Sequence, residues 1–82
     1  MTNDDLVQRG NAAQQLLETD VFRQVTKDLM DYYISAILQS SPAEKDNREN
    51  AYFSSRALQD LVAVLNQWAA IKDQIISNTE EE

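Results

Sequence analysis

The sequence contains a single glycine and a single proline, Gly10 and Pro42, and this scarcity constrains the fold more than any other feature. Sandwiches and barrels need many tight turns, which usually use Gly, Pro or Asn-Gly pairs. A chain of 82 residues that lacks them is predicted to form long helices. That length also allows only one modest core. We therefore expect an all-α protein with a single small domain over residues 1–82.

The clearest helix start lies at Ser41-Pro42-Ala43-Glu44. This pattern is typical of a capping box, in which Ser41 caps the amide of Glu44 and the Glu44 carboxylate reaches back to the amide of Ser41. Pro42 then occupies the first helical position, where its missing N–H costs nothing. Apolar residues recur at spacings of three and four after this point, which predicts a helix over 42–77.

An earlier stripe at helical spacing predicts a helix over 20–39, with Thr19 as its N-cap. The link between the two long helices is too short for anything but an antiparallel hairpin. In the expected register Leu29 lies opposite Phe53 and Phe22 lies opposite Leu61. The predicted core residues are Phe22, Val25, Leu29, Tyr33, Phe53, Leu58, Leu61 and Leu65.

An N-terminal helix is predicted over 3–18, either separate or continuous with the next helix. Gly10 is its weak point, because glycine costs about 1 kcal/mol in a helix interior. This helix is expected to cover Trp68. The alternative is that Trp68 and Ile75 stay exposed and contact another chain. Residues 78–82 are predicted to form a solvated acidic tail.

The residue types present exclude most enzyme chemistry. The chain has no Cys and no His, and therefore no thiol nucleophile, histidine base or Cys/His zinc site. We predict no catalytic, cofactor-binding or metal-binding residues and no enzymatic activity. Its formal charge of −7 repels phosphates, and its seven basic residues are scattered, so we expect no direct binding of nucleic acid. No apolar run is long enough to span a membrane, and no signal peptide is evident, which predicts synthesis in the cytoplasm.

Candidate interaction residues lie at the edges of the apolar stripes and in the polar start of the second long helix. A core or solvated role is the ordinary explanation for each of them. The candidates for an interface are Tyr32, Tyr52, Arg48, Glu49, Trp68 and Ile75.

The pattern as a whole resembles a group of small helical proteins that tailed bacteriophages encode near their head-assembly and DNA-packaging genes. The residues that carry the resemblance include Arg9-Gly10, Leu16-Leu17-Glu18, the Ser41-Pro42 turn and Arg48-Glu49. Relatives often have Asp-Pro where this chain has Asp20-Val21. The resemblance implies a phage context and a role without enzymatic activity.

We therefore expect a bacteriophage structural or assembly protein that binds other virion proteins. It is expected to form a homo-oligomer, to be made in the host cytoplasm and to become associated with the virion. The first alternative is a DNA-packaging factor, such as a small terminase-like subunit. The second is an acidic inhibitor of a host protein.

Overall fold

The computed structural model describes the backbone of residues 1–81 and the side chains as far as Thr79. The described residues form three helices and no strand: α1 (Asn3–Glu18), α2 (Asp20–Leu38) and α3 (Lys45–Glu81). The all-α prediction is confirmed. The bounds of α1 match the sequence prediction, and α2 ends one residue earlier than predicted.

Local caps explain where α1 begins and why it is separate from α2. The Thr2 hydroxyl accepts a hydrogen bond from the Asp5 amide, and the Asp5 carboxylate accepts one from the Thr2 amide, which together make a capping box. Thr19 has extended backbone angles and breaks the helix there. Its hydroxyl donates to the Leu16 carbonyl and accepts from the Phe22 amide, so one residue ends α1 and caps α2.

The predicted start of α3 at Pro42 is wrong, because the helix begins at Lys45. The Glu44 amide donates to the Ser41 carbonyl, and the Glu44 carbonyl accepts the bond from the Arg48 amide. The Ser41 amide donates to the Glu44 carboxylate at 3.4 Å, which is the reverse half of the expected box. The Ser41 hydroxyl donates to the same carboxylate at 3.0 Å and does not cap the Glu44 amide. That hydroxyl and the Ser41 backbone lower the pKa of Glu44.

The other end of α3 also differs from the sequence prediction. The helix continues beyond residue 77 to Glu81, into the segment expected to be a tail. Asn78 and Thr79 are exposed, and the Thr79 hydroxyl donates to the Ile75 carbonyl. The side chains of the remaining acidic residues, 80–82, lie outside the described part of the chain.

The molecule is a rod of 61 × 23 × 18 Å. A helix with its side chains is about 10–12 Å wide, so the 23 Å dimension corresponds to two helices side by side. α3 packs against α1 and against α2, whereas α1 and α2 contact each other little. Gly10 of α1 lies against Lys72 in the second half of α3, and Tyr33 of α2 lies near Ala51 in the first half.

The fully buried residues of α3 are Ala51, Ser55, Leu65 and Lys72, and three of these four are small or polar. The half-buried residues beside them include Leu58, Val62, Trp68, Ala69 and Ile75. None of the residues of α2, all of which are described, is fully buried. The helices approach each other closely, but the core between them is thin.

Half of the predicted core is exposed in this structure. Leu65 is buried, and Phe22, Tyr33 and Leu58 are half-buried. The remaining four predictions are wrong, since Phe53 is 64% and Leu61 51% exposed, and Val25 and Leu29 are exposed too.

The predicted pairs across α2 and α3, Leu29 with Phe53 and Phe22 with Leu61, are also wrong, because Leu29, Phe53 and Leu61 are exposed. The stripe of α2 that faces α3 is Phe22, Thr26, Met30, Tyr33 and Ile37, all half-buried. Thr26 and Met30 lie beside Leu58 and Val62, so Leu29 does not face Phe53. α2 is rotated so that its contact runs along Ala51, Ser55, Leu58 and Val62 of α3, and Phe53 and Leu61 are left outside.

Candidate interaction surface

The line of contact between α2 and α3, which we call the seam, has two sides, and they differ in the side chains that they expose. On one side Tyr32 and Ala36 of α2 lie next to Ser54 of α3. On the other side Lys27 of α2 lies next to Gln59 of α3. Residues seven apart on a helix point in nearly the same direction, so each group identifies other residues on its side.

The Tyr32 side carries rows of exposed apolar residues, with Asp28 at their edge, seven residues after Val21 and four before Tyr32. Val25 is seven residues before Tyr32, Leu29 is seven before Ala36, and Leu61 is seven after Ser54. Val21 and Val64 continue these rows at spacings of four and three. We call this surface the apolar face; its members are Val21, Val25, Leu29, Tyr32, Leu61 and Val64.

All six members of the apolar face are exposed, up to 71% for Val21 and 68% for Tyr32. None is charged. Phe53 lies at the outer edge of the face, since Ala57 connects it to Leu61 in two steps of four residues. Contiguous apolar surface of this kind marks sites of protein interaction on soluble proteins.

The same side of the molecule continues along the seam between α1 and α3. Trp68 is seven residues after Leu61, and the Arg9 guanidinium stacks over its ring at 4.3 Å from the ring centre. Leu16, seven residues after Arg9, is also exposed. A cation above an aromatic face is attracted by the ring's quadrupole, so Arg9 stacks on Trp68, and its buried Nε has no hydrogen-bond partner among the described residues.

Gly10 and Lys72 form the closest contact between α1 and α3. A Cβ atom on Gly10 would lie 2.6 Å from the Trp68 carbonyl oxygen, so only glycine allows this approach. Lys72 is 7% exposed; its ammonium donates to the Gln14 amide oxygen and pairs with Asp73 at 3.0 Å. Sequence reasoning missed this contact, although a lone glycine inside a predicted helix was the available signal.

Trp68 and Ile75, two of the predicted interface residues, are half-buried against α1. Ile75 lies beside Asn3, Asp4 and Val7 at the start of α1. The N-terminal helix thus covers part of both side chains, as the first of the two sequence-based alternatives describes.

Arg48 and Glu49 have different environments despite being neighbours. Arg48 donates from Nη1 to the Ser41 carbonyl at 2.5 Å and to the Ser40 hydroxyl at 3.4 Å, so it ties the loop before α3 to that helix. Glu49 is exposed and lies 3.9 Å from Lys45. Arg48 therefore has a structural role in the loop before α3. The exposed pair of Glu49 with Lys45 contributes little to stability.

Tyr32 and Tyr52 are both exposed but do not come together. Tyr32 belongs to the apolar face, and its ring meets Tyr33 edge to face at 5.7 Å. Tyr52 makes the same kind of contact with Phe53 at 5.8 Å. Only Tyr32 is part of a larger surface.

The Lys27 side of the seam is mixed: it carries both signs of charge, and Ile34, seven residues after Lys27, and Tyr52, seven before Gln59, are exposed there. Lys27 pairs with Asp31 at 3.0 Å, and this hydrogen bond raises the pKa of Lys27. Both side chains are exposed, so the pair contributes little to stability. Interspersed acids and bases of this kind form a solvated surface.

Among the residues that the structure describes, no group of His, Cys, Asp or Glu side chains is placed to hold a metal ion. No described helix combines the length and the apolar character needed to cross a bilayer.

Comparison of the chain with protein-family models, with curated proteins and with solved structures finds no match.

Proposed function

We propose that this protein is a non-enzymatic assembly protein that binds other protein chains through its apolar face. The observation that carries the proposal is the face itself, which combines six exposed apolar side chains from α2 and α3. Removing apolar surface from water contributes about 25 cal/mol per Å². Binding on this side therefore has a larger driving force than binding on the Lys27 side, where charged side chains lie between the exposed apolar ones.

The arrangement that presents the face is, we propose, an antiparallel hairpin. One arm is α3, and the other is α1 followed by α2, with an interruption at Thr19. The pairing of α1 with the second half of α3 and of α2 with the first half supports this arrangement. The apolar face then lies along one side of both arms.

The proposed setting is the assembly of a tailed phage particle. The support is the resemblance carried by Arg9-Gly10 and Arg48, residues that make helix and loop contacts in this fold. In this setting the partners are virion or assembly proteins, and the chain is made in the host cytoplasm before it joins the particle.

The test is incorporation into particles. We would purify particles and assembly intermediates of the encoding phage and measure the protein by mass spectrometry. Wild-type protein should be present in constant ratio to the other components. Leu61→Asp on the apolar face should abolish incorporation, whereas Gln59→Asp on the Lys27 side should not. If wild-type protein is missing from particles and intermediates alike, the proposal fails.

The two alternatives make different demands on the surface. A DNA-packaging subunit needs a basic face, but Lys27 and Lys45 each lie beside an acidic side chain. Affinity for duplex DNA that falls steeply with salt would nevertheless replace our proposal with that alternative. An acidic inhibitor would bind through its carboxylates, so it would tolerate Leu61→Asp.

A further inference from the structure

The amount of surface that the single chain leaves exposed points to what covers the apolar face. The accessible surface is 6202 Å², whereas compact monomers of 9.4 kDa expose about 5,000 Å². The radius of gyration is 17.5 Å, against about 12 Å for a compact domain of this length. One layer of helices cannot cover both of its own sides.

We infer that the apolar face is covered by a second copy of this chain, so that the helices of two copies pack as an antiparallel bundle around a two-fold axis. The inference rests on the proposed function and names the first partner in the assembly. Two layers, each of two helices, place four helices around one shared core, which is a common solution for helical hairpins.

The areas agree with a dimer of ordinary size. Specific interfaces bury about 1,200–2,000 Å² in total, or about 600–1,000 Å² from each copy. The excess surface of each chain over a compact monomer, about 1,200 Å², is enough to supply this. A two-fold interface also requires a self-complementary patch, and an uncharged apolar patch can meet its own copy without an unpaired charge.

The charge distribution favours the same occupant. Each copy carries a formal charge of −7, so two copies repel each other except where their contact surface is uncharged. The six members of the apolar face are uncharged, Asp28 lies at its edge, and the pairs Lys27–Asp31 and Lys45–Glu49 lie among the exposed polar side chains. A strongly charged partner would find little complementary charge on this face.

The test is the mass of the full chain in solution by light scattering, over a wide range of concentrations and at 20 and 500 mM salt. We expect a dimer of twice 9.4 kDa that the higher salt does not dissociate. Leu61→Asp and Val25→Asp, on different helices, should each raise the dissociation constant about 100-fold or more. Gln59→Asp adds the same charge on the Lys27 side and should leave the dimer intact.

Circular dichroism on each variant separates loss of the dimer from loss of the fold. Both face variants should remain helical, because the side chains they replace are exposed in the single chain. If one of them unfolds, the other gives the test. The wild-type measurement is independent of both.

A wild-type chain that is monomeric at every concentration overturns the inference, and so does a dimer that both face variants leave intact. The proposed function fails separately, by the absence of the protein from particles. A monomer whose Leu61→Asp variant still loses incorporation would refute the second copy as partner and keep the assembly role.

Discussion

Residues with small side chains allow the helices of this fold to approach each other closely. Gly10 allows the backbone of α1 to approach Trp68 and Lys72 of α3. Ala51 and Ser55 have the same effect beneath α2, where both are buried. Close backbone approach compensates for a core that contains few large side chains.

The first prediction concerns Gly10→Ala. Alanine is the better helix former by about 1 kcal/mol, but its Cβ would meet the Trp68 carbonyl oxygen. We expect a net loss of about 2 kcal/mol in the free energy of unfolding, as is typical of overpacking. Urea denaturation measures it, with Asn11→Ala at the exposed next position as control. A Gly10→Ala protein as stable as the wild type would mean that α1 does not pack this closely.

The second prediction concerns the pH dependence set by Glu44. Its hydrogen bonds with Ser41 lower its pKa in the folded state below the ordinary value of 4.5. The stabilisation is therefore present above pH 4.5 and is lost as the pH falls through the lowered folded-state pKa. Thermal unfolding of wild type and Glu44→Gln should differ at pH 7 and converge under acid conditions. A difference that stays constant with pH would contradict the prediction; Glu49→Gln controls for the loss of one charge in α3.

At the scale of the helices, Thr19 determines where α1 ends and α2 begins. Its hydroxyl accepts from the Phe22 amide and donates to the Leu16 carbonyl, so it satisfies one group on each helix. The Arg23 guanidinium also donates to the Leu17 carbonyl across the break. Side-chain hydrogen bonds therefore stabilise the break between α1 and α2.

The third prediction tests this junction. Thr19→Ala removes both hydroxyl bonds and should lower the free energy of unfolding by about 1 kcal/mol. Thr19→Ser keeps a hydroxyl and should recover most of that loss. Urea denaturation of the three proteins gives the comparison. Equal stability of the alanine and serine variants would show that the hydroxyl does not cap α2.

The sequence predicts the helices well and their contacts poorly, for a physical reason. Helix ends depend on local groups such as Thr2 with Asp5, so α1 was predicted with its observed bounds. The contact between α2 and α3 depends on which of two overlapping apolar stripes is used. Large residues such as Phe53 and Leu61 suggested one stripe, but small residues such as Ser55 allow the closer approach along the other. The same choice explains why the apolar face was not predicted as a surface.

At the scale of the whole molecule, the two halves of the rod are unequal. The α1 half contains the buried residues Gly10, Ala13, Leu65 and Lys72, whereas in the α2 half only Ala51 and Ser55 of α3 are buried and no residue of α2 is. Local stability follows buried contacts, so the two halves should open with different free energies. The second copy that we infer would cover the weaker half.

The fourth prediction follows from this inequality and is measured by hydrogen exchange at several protein concentrations. In dilute solution the amides of α2 should exchange faster than those in the middle of α1, because fewer buried contacts resist their opening. As the concentration rises through the dissociation constant, protection of α2 should increase, since binding stabilises the folded state by mass action. The middle of α1, around Gly10 and Ala13, should change less. If α2 were already as protected as α1 in the most dilute sample, the single layer would be stable without a partner. The exposed apolar residues of α2 would then have to be explained without a second copy.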